Sequence, residues 1–166
     1  MKRLIWTLII PLTFISITIF TKWWYVLPVD APDSMMYGFP IPYVCDGWQT
    51  SLSYQVFIIE FITDFFIHFT FWFLVIALLD RFIIKIKLHK IVTIFLICIG
   101  GLFAGGLILV ASNSTNIFKI KRQFEIEILE TGYRFFWDGY SRPKNFDFNQ
   151  YEQHKENIKE RTPNTL

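Results

Sequence analysis

The sequence predicts a mainly α membrane protein in which three transmembrane helices carry a Pro/aromatic outer loop and a small C-terminal extracytoplasmic tail. Three observations lead there. Of the 166 residues, 53% are hydrophobic and only 18% are charged, whereas about a quarter of an average soluble domain is charged. Three apolar runs, at residues 4–20, 56–79 and 91–111, approach the roughly 20 helical residues that cross a hydrocarbon core of ~30 Å. Between the first two runs lie Pro28, Pro32, Pro40, Pro42, Gly38 and Gly47, which forbid a continuous helix.

The predicted organisation is a transmembrane region at residues 1–111 that includes the outer loop 22–54, a tail at 112–150 with strand-like segments, and a mobile polar C-terminus at 151–166. One small bundle leaves no length for a second large core. The formal net charge is only +2 and the basic residues are interspersed with acidic ones, so no stripe fit for nucleic acid is present.

The first run follows Met1-Lys2-Arg3 and ends in Lys22-Trp23-Trp24-Tyr25. No small-residue cleavage site follows it, so it reads as an uncleaved anchor. Pro11 inside it removes a backbone donor, which kinks a helix but is tolerated in a bundle. With the N-terminus inside, Lys2, Arg3, Arg81, Lys85, Lys87 and Lys90 are cytoplasmic, against Lys22, Lys119, Lys121 and Arg122 outside. This excess sets the expected orientation. In the outer loop, Trp23, Trp24, Tyr25, Tyr43, Trp48 and Tyr54 read as an interfacial aromatic belt around a compact, partly buried lid.

After the third run, "FKIKRQFEIEIL" alternates apolar and polar residues. This alternation, broken only by Arg122, favours a strand over an interfacial helix. Thr131-Gly132 is then expected to turn the chain into Tyr133 to Trp137 as a β-hairpin. Cys45 and Cys98 sit in unlike settings and read as free thiols, with Cys45 available for an intermolecular link.

The residues of most interest lie in the second run. Glu60, Asp64 and His68 recur every four positions, which places them about 40° apart around a helix and therefore on one face. An ionisable group at membrane depth costs on the order of 2.5–3.5 kcal/mol on insertion scales, so such residues face a bundle interior and mark a site or pathway. Two ionised carboxylates one turn apart also repel one another, so one of the pair is expected to hold a proton at neutral pH. Partners are expected within the column, from the outer loop or from another protein, and Asp64 with His68 is the expected hydrogen-bonded pair. A relay across the whole membrane would need acceptors beyond His68, where only Thr70 and Trp72 are polar. A polar interface is therefore favoured over an ion relay. All three residues spread too far along the helix to share a metal ion, and no metal or cofactor is expected.

The third run contains "GGLFAGG". Gly101 and Gly105 form a GxxxG pair, with Gly100 and Ala104 a second small pair beside it, as at close helix contacts in lipid. No nucleophile elbow, zinc-binding HExxH, phosphate loop or CxxC is present. Asp30, Asp33 and Asp46 lie near Cys45 without a histidine and read as solvated loop residues, so no catalytic residue is assigned and the chain is not expected to be an enzyme.

The anchor followed by "KWWYVLPVDAPDSMMYGFPIPYVCDGWQTSLSYQ" resembles small, functionally uncharacterised bacterial inner-membrane proteins with a YGFP-like extracytoplasmic loop. The resemblance covers the first half of the chain. It implies a bacterial cytoplasmic membrane and carries over no functional residue. The expectation is a non-enzymatic accessory or scaffold subunit, in contact with the lipid bilayer and with a membrane-protein partner or further copies of itself. The alternative is a small proton or cation relay through Glu60, Asp64 and His68.

Overall fold

A computed structural model describes residues 2–28, 33–47, 53–83, 85–86 and 88–135. Among these, three helices are long and apolar enough to cross a membrane: α1 (Lys2–Ile19), α2 (Ile58–Ile83) and α3 (Lys90–Ala111). Six strands accompany them: β1 (Phe20–Pro28), β2 (Ser34–Tyr37), β3 (Val44–Asp46), β4 (Tyr54–Phe57), β5 (Ile117–Lys119) and β6 (Ile126–Phe135). They form one sheet in the order β5-β4-β3-β2-β1-β6. The mainly α expectation is thus corrected: the outer loop is the heart of a mixed sheet, continuous with the tail.

α1 is rich in β-branched residues, which are indifferent helix formers in water. In lipid every backbone polar group needs an internal partner, so an apolar run of this length becomes helical regardless. Its hydroxyls bond within the helix, Thr13 Oγ1 to the Ile9 carbonyl at 2.9 Å and Thr18 Oγ1 to the Phe14 carbonyl at 2.8 Å. Pro11 cannot donate to the preceding turn, and a π-helical turn, Ile5–Ile9, lies just before it, with the Ile10 N–H bonded to the Ile5 carbonyl. Pro11 also faces α3: a Cβ on Gly100 would lie 2.8 Å from its Cα. A glycine on one helix therefore receives a proline ring on the other. α1 packs against both other helices.

The helix ends with the uncharged run, just before Lys22. β1 follows without a linker and is flanked by β2 and β6, both antiparallel to it. β2, β3 and β4 continue the antiparallel meander, and β5 adds parallel to β4. Val26, Met36, Cys45 and Phe57 bury one face, with Trp24, Phe124 and Ile126 against them. Three of the aromatic residues assigned to a belt pack within the sheet. Tyr25 is buried, Trp24 Nε1 donates to the Gly38 carbonyl at 3.0 Å, and Trp23 covers Gly132. Trp48 lies outside the described residues.

The tail is strand rather than helix at Ile117–Lys119 and Ile126–Phe135, but the expected strand is interrupted over residues 120–125 and the expected turn at Thr131-Gly132 does not occur. β6 runs straight through it, opposite β1 from Phe20 to Pro28. Gly132 is needed there because its register partner Trp23 places ring atoms 2.5–2.6 Å from where a Cβ would be. The expected second hairpin strand past Phe135, and the polar C-terminus from residue 151, lie outside the described residues.

Cys45 and Cys98 are both free thiols. Cys45 is 1% exposed, so it is a core residue and the expected intermolecular link is corrected. Burial, and after it the nearby Asp46 charge, push its thiol up to about 12. The Tyr43 hydroxyl is likewise held above its ordinary range, by loss of hydration first and by Asp64 second.

Candidate functional site

Most of the α2 surface is apolar and exposed, with Ile59, Ile62, Phe66, Ile67 and Phe71 among its outward side chains. The opposite stripe is the polar column. Glu60 is 9%, Asp64 0% and His68 7% exposed, so the four-residue spacing places all three on the buried face.

Each bonds to a backbone group distant in the chain. Glu60 Oε1 accepts the Arg122 backbone N–H at 3.1 Å. Asp64 Oδ1 accepts the Ile41 backbone N–H at 3.0 Å. His68 Nε2 lies 3.0 Å from the Phe39 carbonyl and Nδ1 lies 3.0 Å from Ser16 Oγ. A carbonyl can only accept, so Nε2 carries a proton and donates. Asp64 and His68 do not bond to one another, which corrects the expected pair. Both hold instead the turn from Gly38 to Ile41, whose Phe39–Pro40 peptide is cis.

That turn is shaped by Gly38, at φ +145°, a conformation that L side chains rarely adopt. A Cβ there would also collide with the Ile41 carbonyl oxygen and lie 2.8 Å from the Tyr43 nitrogen. The motif Tyr-Gly-Phe-Pro-Ile-Pro thus presents one carbonyl and one N–H to two consecutive turns of α2.

The column extends sideways to α1. Ser16 Oγ accepts from Trp72 Nε1 at 3.1 Å and lies 3.1 Å from the Thr13 carbonyl. It has one proton to give. With a neutral His68 that proton goes to Nδ1, and with an imidazolium Nδ1 donates and the Ser16 proton turns to Thr13. Beyond Trp72 the same end of the bundle is apolar, built on Leu4, Ile9 and Ile76.

Among the described residues, four buried polar atoms around this region or in the sheet above it lack a hydrogen-bond partner: Glu60 Oε2, Asp64 Oδ2, Gln55 Nε2 and Arg122 Nη1. Such atoms are costly, and carboxylate oxygens among them are positions where a proton or small cation can bind. Among the described residues no three His, Cys, Asp or Glu side chains come together as metal ligands.

The small residues of α3 separate sharply. Gly100 meets Pro11, whereas a Cβ added at Gly101 or Gly105 would have nothing within 4 Å, and Ala104 is half-buried. The contact to α1 therefore uses the Gly100 face, one residue away from the GxxxG pair.

Sequence reasoning missed Ser16 and Arg122 as partners of the column. Ser16 was legible as a lone non-β-branched hydroxyl in the first run. Arg122 enters through its backbone, which no side-chain pattern announces. Neither a protein-family model, nor a curated protein, nor a solved structure matches this chain.

Proposed function

We propose that this chain is a non-enzymatic accessory or scaffold subunit of a membrane complex, whose bundle holds a rigid six-stranded sheet at one membrane surface. The observation that carries this reading is the use made of Glu60, Asp64 and His68. Each makes a hydrogen bond to a backbone group of this chain's own loops, and His68 makes a second to the Ser16 hydroxyl of α1. Such a column fixes the sheet on the helices, as a polar seam that specifies one arrangement would. The fold leaves large apolar side chains exposed on all three helices, which suits lipid and partner helices. The excess of Lys and Arg at the end of the bundle away from the sheet favours placing that end in the cytoplasm, with the sheet outside.

A second reading is favoured by the two bare carboxylate oxygens. In it, Glu60, Asp64 and His68 pass a proton or cation part of the way through the bundle.

The test is gentle detergent extraction of the native protein, with sizing and mass spectrometry of co-purifying chains, for wild type and Asp64→Asn. The amide oxygen of asparagine still accepts from Ile41, so the scaffold reading expects a stoichiometric partner in both. A chain that purifies alone, with a proton flux in vesicles that Asp64→Asn abolishes, overturns it in favour of the relay.

A further inference from the structure

Basic side chains gather at the end of the bundle away from the sheet. α1 begins there with Lys2 and Arg3, α2 ends there just past Arg81, and α3 begins there with Lys90. All four side chains are exposed. The turn Ile5–Ile9 of α1 touches both other helices, so the three helix ends stand round one rim.

The connection from α2 to α3 is pinned onto the same rim. Ile86 and Leu88 pack against Leu4, Ile9 and Ile76, and Asp80 Oδ1 accepts the Ile86 backbone N–H at 2.9 Å. Lys85, next to Ile86, is left exposed. Among the described residues, this end therefore carries Lys2, Arg3, Arg81, Lys85 and Lys90 against one carboxylate, Asp80, which holds the loop. α1 and α3 both start here, and the positive ends of their dipoles add to the field.

Each helix also sets an exposed apolar side chain three or four residues inward of its basic one: Trp6 beneath Lys2 and Arg3, Leu78 beneath Arg81, and Ile94 beneath Lys90. Residues at that spacing share a helix face. Cations at the rim therefore stand over outward apolar surface on all three helices, the order in which a lipid presents its phosphate and its acyl chains. Packed helix axes stand about 8–10 Å apart, farther than one phosphate reaches, so two linked phosphates suit a rim supplied by several helix ends.

We infer that this rim binds one acidic phospholipid carrying two phosphates, held by Lys and Arg side chains of more than one helix end and of the pinned loop, with its acyl chains against the apolar side chains below. This inference rests on the membrane placement of the three helices, and neither on the accessory role nor on the reading of the polar column.

The test is native mass spectrometry of the full chain in mild detergent, titrated separately with cardiolipin, phosphatidylglycerol and phosphatidylcholine. The proteins are wild type, a double variant Arg81→Gln with Lys85→Gln, and Lys121→Gln at the sheet end as control. Arg81, Lys85 and Lys121 are exposed, so these changes leave the core intact, which circular dichroism checks. A basic residue near an anionic lipid surface strengthens attraction about fivefold. The expected result is one cardiolipin per chain, retained about fivefold or more better than phosphatidylglycerol, with phosphatidylcholine weakest. The double variant should lower cardiolipin retention about 10–30-fold, and Lys121→Gln should leave it unchanged. Equal retention of cardiolipin and phosphatidylglycerol overturns the two-phosphate assignment, and equal retention of phosphatidylcholine overturns recognition by charge. Binding that never saturates, or a loss in Lys121→Gln as large as in the double variant, overturns the site. Release of cardiolipin by an equal concentration of inorganic pyrophosphate overturns the choice of a lipid in favour of a soluble phosphate.

Discussion

His68 Nε2 and the Phe39 carbonyl, 29 residues apart in the chain, meet at 3.0 Å beneath the Gly38 turn. His68 is 7% exposed, so removing the ring leaves the Phe39 carbonyl and the Ser16 hydroxyl without that partner. His68→Ala is expected to destabilise the protein by about 1–3 kcal/mol, the range for an orphaned buried group. The check is the denaturant midpoint in detergent micelles. Ser16→Ala removes the partner of both Trp72 Nε1 and His68 Nδ1 and should cost a similar amount, about 1–3 kcal/mol.

Asp64 separates geometry from charge. Asp64→Leu removes the acceptor for the Ile41 N–H and is expected to lower folded yield and cost about 1–3 kcal/mol. Asp64→Asn preserves the acceptor and should stay within about 1 kcal/mol of wild type. Equal losses in the two variants would show that the carboxylate charge, rather than the hydrogen bond, holds the turn.

Three glycines are expected to behave in three ways. Gly38→Ala forces a Cβ into a positive-φ turn and onto the Ile41 carbonyl, at a cost of order 1–3 kcal/mol. Gly100→Ala drives a methyl into Pro11 and should loosen the α1 to α3 contact by about 1–3 kcal/mol. Gly101→Ala meets nothing and should be neutral or stabilising by up to ~1 kcal/mol. Thermal inactivation of the three variants in one detergent ranks them.

Alkaline pH should weaken the fold through two groups of the sheet. In the unfolded chain a cysteine ionises around its ordinary 9.0 and a tyrosine around 10.0, whereas in the fold Cys45 is pushed up to about 12 and Tyr43 is also raised. Above pH 9 the unfolded state therefore loses protons that the folded state keeps, and stability falls as pH rises. Each such group contributes a slope of about 1.4 kcal/mol per pH unit. These two groups contribute no slope below pH 8. Unfolding midpoints at pH 8, 9 and 10 for wild type and for Cys45→Ala with Tyr43→Phe test this: the difference between the two proteins should begin to open between pH 8 and 9 and widen more steeply from pH 9 to 10.

What the sequence by itself determined is the set of features with a short period. Apolar runs near span length gave three helices, because lipid leaves a backbone of that kind little choice. A step of four put Glu60, Asp64 and His68 on one buried face, and alternation marked strand character near Ile117 and Ile126. Tertiary structure alone decided what these elements meet. β1 pairs with β6 98 to 115 positions away, and strands of three residues such as β3 and β5 are too short to show a period. The partners of the column are mostly backbone atoms of a turn, which carry no residue signature. The small-residue face of α3 offered two registers, and the ring of Pro11, on another helix, selected Gly100. Such choices rest on which surfaces fit once the chain is assembled, and a local pattern does not contain them.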